Sequence, residues 1–83
     1  MDQSLAYLHE VLSNYIEDND AIRDLDEKIM QGNYESEHVF TRDLDEEESR
    51  ILREVITREM HHANQTGDHE RGYQLYEVYE LLY

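Results

Sequence analysis

The sequence predicts an all-α fold: a small bundle of four to five helices, in a single domain spanning residues 1–83, that ends in an antiparallel helix hairpin. Three observations predict it. Apolar residues recur at spacings of three and four, helix start and stop signals alternate at short intervals, and no run shows the period-two alternation of a strand. Because 83 residues can form one domain at most, we expect a single hydrophobic core.

The first two helices are predicted from their caps and apolar stripes. The first extends from about residue 3 to residue 18, with Asp2 as N-cap, and Glu17 and Asp18 at its end oppose the helix dipole. The second is capped by Asn19 or Asp20, continues to about residue 31, and stops at a Gly-Asn pair. The inward positions are Leu5, Leu8, Val11, Leu12, Tyr15 and Ile16 in the first helix and Ile22, Leu25 and Ile29 in the second.

The middle of the chain predicts a short helix followed by the longest one. Ser36 opens a helical turn over residues 37–43, in which Val39 and Phe40 are the apolar pair. Asp45 and Glu48 then form a capping-box-like start. The long helix is expected to extend from there to about residue 66, with an apolar stripe of Leu52, Val55, Ile56, Met60 and Ala63.

The last helix is predicted over residues 69–82, after a tight turn in which Gly67 ends one helix and Asp68 caps the next. Apolar and tyrosine residues cover most of its circumference, so it is expected to be buried on more than one side. It is therefore either the central helix of the bundle or half of a homodimer interface.

Composition excludes several classes of function. The chain has 7 Lys and Arg against 21 Asp and Glu, a net charge of −14, and no cysteine. Disulfide frameworks and cysteine-based metal or thiol chemistry are excluded, and the charge argues against nucleic-acid and anionic-membrane partners. With no apolar run long enough to span a bilayer and no signal peptide, we expect a soluble cytoplasmic protein.

Two Glu-x-x-His stretches, residues 35–38 and 59–62, are the candidates for a metal site. In di-iron bundles such pairs direct both ligands into the core, which makes His38, Glu59 and His62 candidate ligands. The alternative is solvated surface, because 21 acids and 5 histidines produce such spacings by chance. Glu35 is expected to precede its helix, which breaks the geometry, so we predict no metal and no cofactor.

No arrangement of residues indicates catalysis. The serines and threonines have no nucleophile frame, and the chain has no phosphate-cradling glycine loop. A thin helical domain also has little room for a water-excluding pocket. The sequence therefore predicts a protein that is not an enzyme.

The apolar and tyrosine residues of the last helix are the candidate interaction residues. Tyrosine is favoured at interfaces because it combines a large apolar area with a polar tip. The alternative is ordinary core packing, and one helix can serve both purposes with two faces. The candidates are Leu75, Tyr76, Val78, Tyr79, Leu82 and Tyr83.

Three segments carry a family resemblance: LAYLHE at residues 5–10, FTRDLD at 40–45 and EVYELL at 77–82. With these the chain resembles the small sigma-G-dependent sporulation-specific proteins of bacilli, acid-soluble spore proteins of the CsgA type, a family distinct from the curli subunit of that name. The resemblance implies expression in the forespore. It implies no assigned activity and no catalytic or binding residues.

Three hypotheses for function follow. The first is a structural or protein-interaction component of the forespore, self-associating through the last helix. The second is an acidic inhibitor or DNA mimic that binds a basic protein, with Glu46, Glu47, Glu48 and Glu54 clustered on one helix. The third is the metal-binding bundle described above.

Overall fold

The structure, a computed structural model, describes residues 2–82 and confirms the all-α prediction. Within those residues it contains five helices and no strand. The helices are α1 (Gln3–Leu12), α2 (Asp20–Gly32), α3 (Glu37–Arg42), α4 (Glu46–Thr66) and α5 (His69–Tyr79).

Each helix begins at a capping residue that the sequence predicts. The side chain of the N-cap accepts a hydrogen bond from the backbone N–H three residues later, which satisfies one of the donors that every helix start leaves free. The five N-caps are Asp2, Asn19, Ser36, Asp45 and Asp68.

The capping box of α4 is confirmed in both directions. The backbone N–H of Glu48 donates to Asp45 Oδ1 at 2.8 Å, and the backbone N–H of Asp45 donates to Glu48 Oε1 at 2.9 Å. Two donors at the start of the longest helix are thereby satisfied.

The predicted length of the first helix is wrong: α1 ends at Leu12, and residues 13–18 form turns. The Ser13 hydroxyl donates to the Glu10 carbonyl at 2.7 Å, and the next backbone bonds, such as Tyr15 N–H to Leu12 C=O, span three residues. The Ser13 side chain competes for backbone groups, which favours a stop there. A helix extended to residue 18 would also place Glu17 and Asp18 at its C-terminus, where they oppose the dipole. Tyr15 and Ile16 still pack against the core.

The last helix also ends earlier than predicted, at Tyr79, although Leu82 beyond it is buried. It packs against α1, α3 and α4, with the most extensive packing against α4. Leu75 and Val78 are fully buried, whereas Tyr73 and Tyr76 are 58% and 48% exposed, so the helix has an open side that the all-round apolar pattern did not predict. The antiparallel hairpin at the end of the chain stays a prediction.

The core is formed by the predicted stripes of all five helices. Phe40 of α3 is fully buried, and Tyr34 packs edge-on against its ring with centroids 5.3 Å apart, whereas Val39, the predicted partner of Phe40, is 42% exposed. The fully buried large side chains are Phe40, Leu5, Leu8, Val11, Leu12, Leu25, Ile29, Leu52, Ile56, Leu75 and Val78.

Buried polar contacts fix the neighbours of α1. The Ser4 hydroxyl donates to Gln74 Oε1 of α5 at 2.8 Å, and both residues are buried. On the α2 side, His9 Nδ1 lies 2.6 Å from the buried Asp26 Oδ1. The α1–α5 and α1–α2 interfaces are thus stabilised by polar side-chain contacts as well as by apolar packing.

None of the helices in residues 2–82 has the length and apolar character needed to cross a membrane.

Candidate interaction surface

The outward face of α4 carries a row of arginines. The inward stripe of Leu52, Val55 and Ile56 fixes the rotation of the helix, and positions 50, 53, 57 and 58 then point away from the core. Arg50, Arg53 and Arg58 share this face, and they are three of only seven basic residues in a chain of charge −14.

Two adjoining open clefts lie between this row and the end of α5. One has a volume of about 540 Å³ and the other about 360 Å³, and Arg53 and Tyr79 line both. The first is also lined by Arg50, Glu54, Thr57 and Arg58, and the second by Tyr76, Glu80 and Leu82. We call the surface formed by these nine residues the α4–α5 groove.

Arg50 is held at the edge of the groove by two carboxylates. Its Nε donates to Glu47 Oε2 at 3.0 Å, and its Nη1 donates to Glu54 Oε1 at 2.8 Å. The hydrogen bond from Arg50 lowers the pKa of Glu47, and the same contact raises the pKa of the guanidinium. Both are exposed helix-surface pairs, so they orient Arg50 more than they stabilise the fold.

Arg58 lies over an aromatic ring at the other end of the row. Its guanidinium carbon is 5.7 Å from the centroid of Tyr15, whose hydroxyl donates to Glu59 Oε2 at 2.9 Å. Burial raises the pKa of Tyr15, and the hydrogen bond to Glu59 adds to this effect. The turn after α1 is thereby fastened to α4, and Arg58 is placed by a cation–π contact.

Arg53, at the centre of the groove, differs from its two neighbours. Within residues 2–82 it forms no ion pair, and neither does Glu80 on the α5 side. Tyr76 and Tyr79 lie beside them. The centre of the groove therefore combines two aromatic rings with one basic and one acidic group that the described part of the chain leaves uncommitted.

The predicted interaction residues fall on both sides of α5. Leu75, Val78 and Leu82 are buried within the core of the chain, whereas Tyr76 is exposed and Tyr79 is half-buried in the groove. The prediction for Tyr83 lies outside the described residues. Of the five candidates within residues 2–82, Tyr76 and Tyr79 are accessible to a partner while the chain stays folded.

The three candidate metal ligands do not form a common site in the described part of the chain. His38 on α3 and His62 on α4 are exposed, and Glu59 accepts the hydrogen bond from Tyr15. Glu35 precedes α3, as expected. Among residues 2–82, no group of three or more histidine and carboxylate side chains is arranged to hold a metal ion.

Most of the glutamates proposed to bind a basic protein already contact basic or backbone groups of this chain. Glu47 and Glu54 hold Arg50. Glu48 closes the capping box and lies 3.4 Å from Lys28 Nζ. Of that cluster, only Glu46 has no basic partner within the described residues.

The sequence analysis did not identify the arginine row, because it considered the charge of the whole chain, in which acids exceed bases by 21 to 7. The signal was available: residues 50, 53 and 58 fall on the side of α4 opposite its apolar stripe. The proximity of Tyr79 to these arginines could not be predicted from the sequence, because it depends on how α4 packs against α5.

Comparisons with known proteins identify the family. Residues 1–83 match the family model CsgA, which is described as minor curli fiber component A. The chain is 39% identical over 82 residues to the Sigma-G-dependent sporulation-specific SASP protein of Bacillus subtilis (strain 168), covering 99% of each chain. No solved structure matches. The chain therefore belongs to the CsgA-type family of small sigma-G-dependent sporulation-specific proteins.

Proposed function

We propose that this chain is a sporulation-specific, non-catalytic protein-interaction component of the forespore, and that the α4–α5 groove is its contact surface. The printed name of the Bacillus subtilis relative supports the sporulation setting. The observation that carries the interaction role is the exposure of Tyr76, 48% open beside Arg53 and Tyr79.

The core does not require a tyrosine at position 76. Leu75 and Val78 already fill the space between α5 and its neighbours, and both are fully buried. Tyrosine and arginine are enriched at protein interfaces and at the residues that dominate their binding energy. An exposed tyrosine flanked by an arginine is therefore better explained by a partner than by the stability of the monomer.

The proposal assigns no reaction to the groove. Arg50 is held by two carboxylates and Arg58 by an aromatic ring, so these groups are engaged in local structure. The clefts are open to solvent along their length, which favours a protein surface over a small substrate that must be enclosed.

The proposal does not include fibre formation, although the matched family model is described as a fibre component. Cross-β assembly favours extended apolar segments of low net charge. Here the large apolar side chains are packed inside helices, and the chain carries a charge of −14.

Site-specific photo-crosslinking in sporulating cells tests the proposal. A photoreactive phenylalanine analogue replaces Tyr76, and a matched variant carries it at Val39, a second exposed apolar position on α3. We expect discrete protein adducts from position 76 and none in common from position 39. Absent adducts at position 76, or the same adducts from both positions, would contradict the proposal. The mass of each adduct tells a second copy from a different protein.

A further inference from the structure

The α4–α5 groove is the nearly neutral part of a strongly acidic molecule. Its charged side chains are Arg50, Arg53 and Arg58 against Glu54 and Glu80. The rest of the chain has four basic and nineteen acidic residues. Two copies of the chain repel each other over most of their surfaces, and this repulsion is weakest where the two grooves face each other.

The groove is also self-complementary. A contact between identical copies about a twofold axis uses the same patch twice, so the patch must supply both partners of each interaction. Tyr76 and Tyr79 supply apolar area, Arg53 a cation and Glu80 an anion, and within residues 2–82 neither charged group is paired. A twofold axis that passes between these two side chains brings Arg53 of each copy to Glu80 of the other.

We propose that the occupant of the groove is a second copy of this chain, packed groove to groove about a twofold axis. This inference rests on the proposed function and names the partner for its surface. A specific interface of the smallest size buries about 600 Å² per copy. The chain exposes 5175 Å² in all, so roughly an eighth of its surface suffices.

The charge distribution determines the response of such a dimer to salt. Net repulsion between two chains of −14 acts over a long range and is screened by salt, whereas the tyrosine contacts at the interface are not. Salt also screens the two Arg53–Glu80 pairs, but exposed pairs of this kind contribute little. Added salt therefore tightens the dimer. A complex with a basic partner responds in the opposite direction, because salt screens the attraction that forms it.

Sedimentation velocity of the untagged protein tests the inference over a concentration series at low and high sodium chloride. We expect a dimer whose dissociation constant falls at least about tenfold between roughly 50 mM and 500 mM salt. Tyr76→Ala and Arg53→Glu are expected to raise the dissociation constant about tenfold or more. The matched controls Val39→Ala and Arg42→Glu, which make similar changes on α3, are expected to leave it within about twofold.

A charge swap tests the twofold arrangement itself. Glu80→Arg alone is expected to weaken the dimer, and Arg53→Glu combined with Glu80→Arg is expected to restore it to within about threefold of the original. Far-UV circular dichroism and urea unfolding of each variant test whether that variant is folded. Folded monomer at every salt concentration overturns the inference, as does a dimer that dissociates as salt rises, or control variants that weaken it equally.

The failure of this inference is distinguishable from that of the proposed function. A monomer in solution whose position 76 crosslinks a different protein in cells overturns the self-contact but supports the interaction role. A monomer without crosslinks at position 76 overturns both.

Discussion

The two sides of α5 differ more than the sequence of the helix suggests. On the inner side, Leu75 and Val78 are fully buried, and the buried Gln74 accepts a hydrogen bond from Ser4. On the outer side, Tyr73 and Tyr76 are about half exposed. The inner side is matched to α1 and α4 by shape and hydrogen bonding, whereas the outer side carries large apolar groups that the folded chain does not cover.

From this difference we expect that one helix of so small a protein supplies both core and contact surface. The free energy of unfolding should depend on the inner side, and association should depend on the outer side. Substitutions on α5 should therefore separate into two classes, which the following predictions test.

The largest effect is expected from the centre of the inner side. Leu75→Ala should lower the free energy of unfolding by about 2–5 kcal/mol, because it leaves a cavity where the core is closed on all sides. Tyr76→Ala, one residue away, should lower it by less than about 1 kcal/mol. Urea unfolding followed by the helical circular dichroism signal measures both. Similar losses for the two variants would remove the distinction between the sides.

A smaller effect is expected from the polar contact of the inner side. Ser4→Ala should cost about 1–3 kcal/mol, because it leaves the buried Oε1 of Gln74 without a donor. Adding Gln74→Leu should recover part of that loss, since the unpaired polar atom is then removed. The control is Ser13→Ala, which removes an exposed hydroxyl from the end of the same helix region. The Ser4–Gln74 bond is unimportant if both serine variants unfold at the same urea concentration.

The smallest effect on stability is expected at Tyr34, which, unlike Tyr76, is held by a hydrogen bond within the chain. The Tyr34 hydroxyl donates to Asp43 Oδ2 at 2.6 Å, and this hydrogen bond raises the pKa of Tyr34 to about 12. Since the unfolded pKa is about 10, the contribution of Tyr34 to stability is complete below pH 10. It declines as the pH rises from about 10 to 12, because the unfolded chain releases its proton first.

Tyr34→Phe should therefore flatten the alkaline loss of stability between pH 10 and about 12. Phenolate absorbance in the folded protein should show a group of high-pH tyrosines that is smaller by one in this variant. Asp43→Asn should return the pKa of Tyr34 towards its ordinary range. An unchanged alkaline titration in Tyr34→Phe would show that Asp43 does not hold the proton on Tyr34.

The helices and their starting points could be predicted because they depend on residues near one another in the sequence. The capping box of Asp45 and Glu48 and the left-handed stop at Asn33 are set within four residues. The stop at Gly32-Asn33 has a further reason that the sequence did not reveal: a Cβ at Gly32 would collide with the ring of Tyr34. That contact depends on how the chain turns after α2.

The candidate surface could be predicted only in part, because it depends on packing between helices. The apolar wheel of α5 identified tyrosines suited to an interface but not which of them the core would bury. The Tyr15 hydroxyl donates to Glu59 across 44 positions of sequence. Local spacing therefore could not show that Glu59, a candidate metal ligand, is bound by this tyrosine instead. The groove itself forms where α4 and α5 meet, and no local pattern encodes it.

The bond between Ser4 and Gln74 joins residues 70 positions apart, so the first helix to be synthesised is completed by the last. At about 5–20 residues per second, α1 leaves the ribosome seconds before α5 exists to cover it. A chain that stops before α5 lacks a helix that packs against α1, and uncovered apolar residues direct a protein to chaperones and proteases. We therefore expect chains that lack α5 to be degraded faster than the complete chain, because one side of α1 stays uncovered in them.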